Sequence, residues 1–252
     1  MTYKPARRPQ FFYTTAPLPC PYVAGRTERK VVTEITGPDA DNLHDRLSRA
    51  GFRRSHNIAY SPVCPGCRAC VPIRVRAADF LPNRTQRKII TRNADLDVRA
   101  VPARATAEQY ALFQHYQQTR HPGGDMAAMG FYDYRAMVED TPITTGLVEF
   151  RDAQGRLLGA CLTDWLSDGL SAVYSFFAPE EDRRSLGAFA VMWLLAEALR
   201  GGQPYVYLGY WVAESRKMAY KASYRPAEVL IHGQWQGLGE EEIVTTERVT
   251  AG

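Results

Sequence analysis

Three segments rich in apolar, β-branched and aromatic residues follow one another at 144–150, 156–166 and 170–177, joined by the turn sequences Asp152-Ala-Gln-Gly155 and Ser167-Asp-Gly169. Links this short permit only hairpins, so the three segments form an antiparallel meander. Ser185 to Leu199 then reads as a strongly apolar helix stopped by Gly201-Gly202. Tyr205–Tyr210 reads as a buried strand, Glu214–Lys221 as a short helix and Val229–Trp235 as a closing strand. A βββ-α-β-α-β order calls for an α/β (α+β) architecture, a mixed sheet with helices on both faces.

The chain before the meander is less regular. Val31–Ile35 is expected to be a strand. Pro38 opens a helix that runs to about Ala50, with Gly51 just past its end. Ile58–Tyr60 and Val71–Val75 read as strands flanking a cysteine cluster, and Phe80-Leu-Pro-Asn-Arg-Thr-Gln-Arg-Lys88 as a polar, basic segment. Val101-Pro-Ala-Arg104 looks like a linker, because Thr106-x-x-Gln109 forms a capping box for a helix reaching about Gln118, with another helix near Tyr132–Glu139. The expected division is a smaller N-terminal domain over 1–104, a second domain over 105–238 and an acidic tail over 239–252.

Charge supports that division. Residues 1–104 carry 19 Lys and Arg against 8 Asp and Glu, or +11, whereas the remainder carries −7, within a formal total of +4. A basic half joined to an acidic one suggests that one part of the surface meets a polyanion. The stretch Ala188–Leu199 is too short and too interrupted to cross a bilayer, and the basic start lacks the apolar core of a secretory signal. A cytoplasmic protein without a membrane partner is expected. Five cysteines, three of them between 64 and 70, do not make a disulfide framework for 252 residues.

Three constellations could carry chemistry. Cys64-Pro-Gly-Cys67-Arg-Ala-Cys70 places three thiols on a Pro/Gly turn, and Cys20 could supply a fourth, a donor set suited to zinc or an iron–sulfur cluster. Cys161, in an apolar strand, reads as core. Arg183-Arg184-Ser185-Leu-Gly187 opens the apolar helix, where backbone N–H groups, a glycine and two arginines suit a phosphate. It directly follows the third meander strand, where acetyltransferase-class enzymes hold nucleotide phosphates. Tyr205-Val-Tyr207-Leu-Gly-Tyr210-Trp211 followed by Ser215-Arg-Lys217-Met-Ala-Tyr220-Lys221 offers stacking faces for a nucleobase and, on a helix, two lysines on one face that an anion could bridge. None of the five histidines stands in a zinc-protease or serine-hydrolase pattern, and turn chemistry accounts for Asp168.

Taken in order, these residues resemble the aminoacyl-tRNA–protein transferases, and within them the bacterial aspartate/glutamate leucyltransferases. The resemblance runs from Cys20-Pro-Tyr through Gly51-Phe-Arg-Arg-Ser55, Tyr60-x-Pro-x-Cys-Pro-Gly-Cys-Arg-Ala-Cys-Val-Pro, Phe80-x-Pro-x-Arg-x-Gln-Arg87, Asp168-Gly-Leu-Ser-Ala-Val-Tyr174, Ser185-Leu-Gly187 and Tyr205–Trp211 to Tyr224-Arg-Pro226. It implies an acetyltransferase-like second domain that moves leucine from leucyl-tRNA to the N-terminal amine of proteins beginning with Asp or Glu, marking them for degradation. No coenzyme A is expected. Related eukaryotic arginyl transferases associate N-terminal cysteines with an iron–sulfur cluster, through a different cysteine arrangement.

Under this reading Tyr207, Tyr210, Lys217 and Tyr220 are the candidate catalytic residues. Arg84, Arg87, Lys88, Arg183, Arg184, Ser185, Gly187 and Lys221 are the candidate substrate or tRNA contacts, and Cys20, Cys64, Cys67 and Cys70 the candidate metal ligands. Lys217, Lys221 and Arg183 are each candidates to read the acceptor carboxylate or the terminal tRNA phosphates. Two other readings share part of the pattern. An acetyl-CoA-dependent N-acetyltransferase leaves the +11 half and the cysteines unexplained, and a non-catalytic RNA-binding module with a metal knuckle leaves the second half without purpose.

Overall fold

The computed structural model describes residues 9–239. Most of the segments expected for the second half form with boundaries shifted by a residue or two. The meander is Thr145–Arg151, Leu157–Leu166 and Gly169–Phe177, the apolar helix is Leu186–Arg200 and the strand after it is Tyr205–Trp211. The capping box is present: Thr106 accepts from the Gln109 N–H and Gln109 returns to the Thr106 N–H, starting the helix Ala107–Arg120.

These strands belong to an eight-stranded sheet. In spatial order it runs Gln234–Gly237, Ala227–Ile231, Val71–Arg76, Tyr205–Trp211, Gly169–Phe177, Leu157–Leu166, Thr145–Arg151 and Asp97–Pro102. Every neighbouring pair is antiparallel except Gly169–Phe177 with Tyr205–Trp211, which are parallel because the helix Leu186–Arg200 carries the chain across between them. One face is closed by that helix and by Arg84–Arg92, packed through Ile73, Val148, Phe150, Leu194 and Val206. On the other face Phe113, Tyr134 and Phe176 cluster under the helices Ala107–Arg120 and Phe131–Glu139. Helices therefore cover both faces, as expected for a mixed sheet.

Several sequence expectations need correction. The strand Val71–Arg76 lies inside the large sheet, hydrogen-bonded on both sides to strands from the end of the chain, so the sheet crosses the boundary drawn at 104. The linker at 101–104 begins as the end of an edge strand, Asp97–Pro102, whose mostly exposed residues mask its pairing with Thr145–Arg151. The basic segment contains the helix Arg84–Arg92, started by an Asn83/Gln86 capping box. Val229–Trp235 is a hairpin of two strands turning at His232-Gly233, both at positive φ. The tail beyond Gly239 lies outside the described residues.

The N-terminal part adds a four-stranded sheet containing Lys30–Glu34 and Ile58–Pro62, backed by the helix Ala40–Arg49. Ile35, Ala40, Leu47 and Ala59 make its small core. It is fastened to the meander by a buried ion pair. Arg54 Nε and Nη2 donate to Asp164 at 2.9 and 2.6 Å, and His44 Nε2 lies 3.2 Å from the same carboxylate. Burial works against that carboxylate, but the bonds from His44 and Arg54 outweigh it and hold its pKa at about 2.

Candidate active site

The parallel pair at the centre of the sheet is hydrogen-bonded over only three residue pairs, Gly169 to Tyr205, Leu170 to Val206 and Ser171 to Tyr207. Beyond them the strands stop pairing, and Arg53, from the strand Arg53–Ser55, reaches into the gap. Its Nη2 donates to the carbonyls of Ala172 and Val173 at 3.1 and 2.8 Å. On the facing strand the chain places Gly209 at φ +78°, where a Cβ would stand 1.7 Å from Arg53 Nη1. The bulge between Tyr207 and Gly209 and the missing side chain together make room for the guanidinium.

Lys221 approaches the next residue of the same strand. It is 8% exposed, and its Nζ donates to the Tyr210 carbonyl at 2.8 Å. Burial, and after it the charge of Arg53, push its pKa down to about 7. The segment expected to be a helix over 214–221 is instead a series of turns followed by a 3₁₀ turn at Ala219–Ser223. Lys217 and Lys221 therefore do not share a helix face: Lys217 is exposed and Lys221 is in the interior.

Around the open ends of the two strands stand aromatic and basic side chains. Tyr116 packs on Phe177 and His121 with ring centroids at 4.9 and 5.5 Å, and the Tyr174 hydroxyl accepts from Gln117 Nε2 at 2.5 Å. Partial burial lowers the pKa of His121, as do the charges of Lys217 and Arg120. Tyr220, about half exposed, stands edge-on to Tyr224.

Two candidate catalytic tyrosines are occupied elsewhere. The Tyr207 hydroxyl donates to Asp168 at 3.0 Å and accepts from Arg74, whose guanidinium stacks on Tyr205 and Trp235 at 3.5 and 4.3 Å and pairs with Glu228 at 2.7 Å. The Tyr210 hydroxyl lies 3.0 Å from the carbonyls of both Gly51 and Tyr60, fixing the strand against the N-terminal part. At the start of the apolar helix, Arg184 is held by Asp95 at 2.9 Å and Glu181 at 3.3 Å, so its charge is already matched. A Cβ on Gly187 would meet the Phe177 ring at 3.0 Å, so this glycine admits an aromatic ring. Ser185 is left-handed at φ 54° and makes no side-chain cap, while Arg183 is exposed.

Arg84, Arg87 and Lys88 are exposed on one side of the helix Arg84–Arg92, and none of them meets a carboxylate among the described residues. This face can meet a phosphate backbone. The hairpin Leu18–Pro19 with Thr27–Glu28 brings Cys20 to the pocket lined by Cys64, Cys67 and Cys70, which Tyr60 and Tyr210 also line. Backbone N–H groups of Val23 and Arg29 point at the sulfurs of Cys20 and Cys64, each at 3.4 Å. Burial, together with the other three sulfurs, pushes the Cys70 thiol up to about 12. The four soft donors suit a thiolate-held metal in kind. Among the described residues no three His, Cys, Asp or Glu side chains are arranged so as to hold a metal ion. Cys161 is in the core.

The sequence does not single out Arg53, which lies within Gly51-Phe-Arg-Arg-Ser55. No local pattern separates it from Arg54, which is tied to Asp164. What distinguishes Arg53 is a glycine far along the chain.

The model of the family described as arginine-tRNA-protein transferase, N terminus, matches residues 18–88, and the corresponding C-terminus model matches residues 108–231. The chain belongs to this family of enzymes, which take an aminoacyl-tRNA as donor and a protein as acceptor. A relative from Gluconacetobacter diazotrophicus named aspartate/glutamate leucyltransferase is 64% identical over 96% of this chain and 94% of its own. One of the same name from Granulibacter bethesdensis is 63% identical over 98% of this chain and 92% of its own. A solved structure titled as that of L-PGS from Bacillus licheniformis is a distant likeness, with TM-score 0.47 at 10% identity over 72% of this chain and 65% of that one. Among the described residues no helix is long and apolar enough to cross a membrane.

Proposed function

We propose that this enzyme transfers leucine from leucyl-tRNA to the free α-amine of polypeptides beginning with Asp or Glu. The observation that carries the choice of donor and acceptor is the identity of 63–64% with leucyltransferases along nearly their whole length. The charge pattern supports it. An acetyl-CoA-dependent enzyme has no use for an exposed arginine helix, and a binding module has none for a cation lodged between two diverging strands.

The reaction needs little acid–base help. The aminoacyl ester is already activated, and an α-amine with a reference pKa near 8 is partly neutral at the pH of a cell interior. The amine attacks the ester carbonyl, the tetrahedral intermediate expels the ribose hydroxyl, and the amine gives up a proton. Holding ester and amine in line supplies roughly 7–11 kcal/mol of the barrier reduction. Hydrogen-bond donors aimed at the developing oxyanion each add about 3 kcal/mol. Lys217, exposed and near enough to His121 for its charge to act on that ring, and the half-exposed Tyr220 are our candidates to position the donor's end.

Incubation with tRNAs charged with several amino acids and with peptides beginning Asp, Asn, Glu, Gln and acetyl-Asp tests the reading. Leucine should appear on the Asp and Glu peptides alone. Transfer from acetyl-CoA without transfer from leucyl-tRNA would sink it.

Two further expectations accompany the proposal. Replacing Arg84, Arg87 and Lys88 by Ala should weaken tRNA binding and flatten its log–log salt dependence by roughly 0.7–0.9 per lost phosphate contact. An unchanged slope would place the tRNA on another face. Cys20, Cys64, Cys67 and Cys70 should together hold one zinc ion or iron–sulfur cluster, which would fasten the N-terminal hairpin to the turn before Val71. Elemental analysis and visible absorption of anaerobically purified protein should show zinc or iron. Four freely titrating thiols in folded protein with neither metal would exclude it.

A further inference from the structure

Among the described residues the buried arginines are matched by carboxylates. Arg54 meets Asp164 and Arg74 meets Glu228, both at hydrogen-bond distance. Arg53 and Lys221 meet no carboxylate among the described residues, although they lie against consecutive residues of one strand, Arg53 on Gly209 and Lys221 on the Tyr210 carbonyl. Lys221 is buried and Arg53 half-buried, and two like charges so far withdrawn from water without a counter-charge are unfavourable. Neutral carbonyls hold them in place: Ala172 and Val173 take only Arg53 Nη2, leaving Nε and Nη1 without a hydrogen-bond acceptor among the described residues. The arrangement is a preformed anion site.

The surroundings say which anion. The site lies where the parallel strands have stopped pairing, beyond Ser171 and Tyr207, so an extended chain entering the gap finds backbone groups beside it. A phosphate in a polynucleotide carries a sugar on either side and suits exposed arginines such as Arg84 and Arg87. A side-chain carboxylate ends a short stem and can be buried whole. We infer that Arg53 and Lys221 together read the acidic side chain of the acceptor's first residue, the carboxylate lying between guanidinium and ammonium. This rests on the transfer reaction proposed above and adds the residues that select its acceptor.

The test measures binding apart from transfer. Peptides beginning Asp and Asn, otherwise identical, are titrated by calorimetry into the full-length wild-type protein and into Arg53→Lys, Arg53→Gln and Lys221→Met, with thermal melting to show that each variant is folded. The wild type should prefer the Asp peptide by on the order of 10²–10³, the range expected when a buried cation loses its partner. Lys221→Met and Arg53→Gln should each bring the preference below about tenfold, while affinity for leucyl-tRNA stays within about twofold. Arg53→Lys keeps the charge but not the fork, and should retain an intermediate preference even if Arg53→Gln fails to fold. An undiminished preference in folded Lys221→Met and Arg53→Lys, or a loss of tRNA affinity with the preference intact, would overturn the inference, the latter making the pair a phosphate site. Absence of leucyl transfer in a wild type whose Asp preference disappears in the variants would overturn the donor assignment and uphold the pocket.

Discussion

Arg54→Ala is expected to cost the fold about 3–5 kcal/mol and to lower the melting temperature by on the order of 10 °C. The arginine is 4% exposed and the carboxylate it meets is fully buried, so the substitution leaves Asp164 charged in the interior with only His44 and the Thr145 hydroxyl beside it. The deficit belongs to the abandoned partner more than to the pair. Replacing both Arg54 and Asp164 by apolar residues of similar volume should therefore recover much of the loss. The carboxylate adds a pH dependence of defined sign. Its folded pKa of about 2 is below the unfolded value near 3.9, so its contribution is complete above about pH 4 and disappears as pH falls through 2. Acid-unfolding curves should show the wild type losing stability across that window and the double variant lacking that part of the slope. Equal melting temperatures for wild type and Arg54→Ala would remove the ion pair from any account of how the N-terminal part is held.

Gly209→Ala should reduce transfer to an Asp-initiated peptide by on the order of 10²-fold, in proportion to what Arg53 contributes to acceptor binding. The added methyl would stand 1.7 Å from Arg53 Nη1, and the backbone there is left-handed at φ +78°. The guanidinium is the end of a flexible side chain and can move, so the protein should still fold, at a cost of about 1–2 kcal/mol for the left-handed conformation. What moves away is the cation held by Ala172 and Val173. Steady-state kinetics should show the loss in kcat/KM for Asp and Glu peptides, with tRNA affinity preserved. Activity within about threefold of wild type would mean that the gap tolerates Arg53 in another place.

Local features were legible where a few neighbouring residues decide them. The meander follows from turn sequences between β-rich segments, the helix Leu186–Arg200 from its apolar content and the glycines after it, and the start of Ala107–Arg120 from its capping box. The helix Arg84–Arg92 is masked because the segment is dominated by charged and polar residues, with Ile89 and Ile90 its only apolar side chains, although its own capping box stands in the sequence. The edge strand Asp97–Pro102 resembled a linker because an edge strand need bury little. Tyr207 and Tyr210 are catalytic candidates by residue type, and the bonds of their hydroxyls to Arg74, Asp168 and the carbonyls of Gly51 and Tyr60 are not legible locally because those partners are distant in sequence. Lys221 was legible as a cation. Its separation from Lys217 was not, because a 3₁₀ turn takes the place of the expected helix.

The strand Val71–Arg76 is synthesised well before both of its hydrogen-bonded neighbours, Tyr205–Trp211 and Ala227–Ile231. On the ribosome it must wait, with Ile73 and Val75 lacking their sheet neighbours, until both of those later strands have emerged. Pairings of such long sequence separation form slowly and leave apolar edges open to wrong partners in the interval. Because this strand continues directly from Cys70, the last step of sheet assembly also brings the cysteine turn to its final position beside Tyr210. The nascent enzyme therefore completes its cleft late, and its yield in a cell should depend on what shelters that strand during the wait.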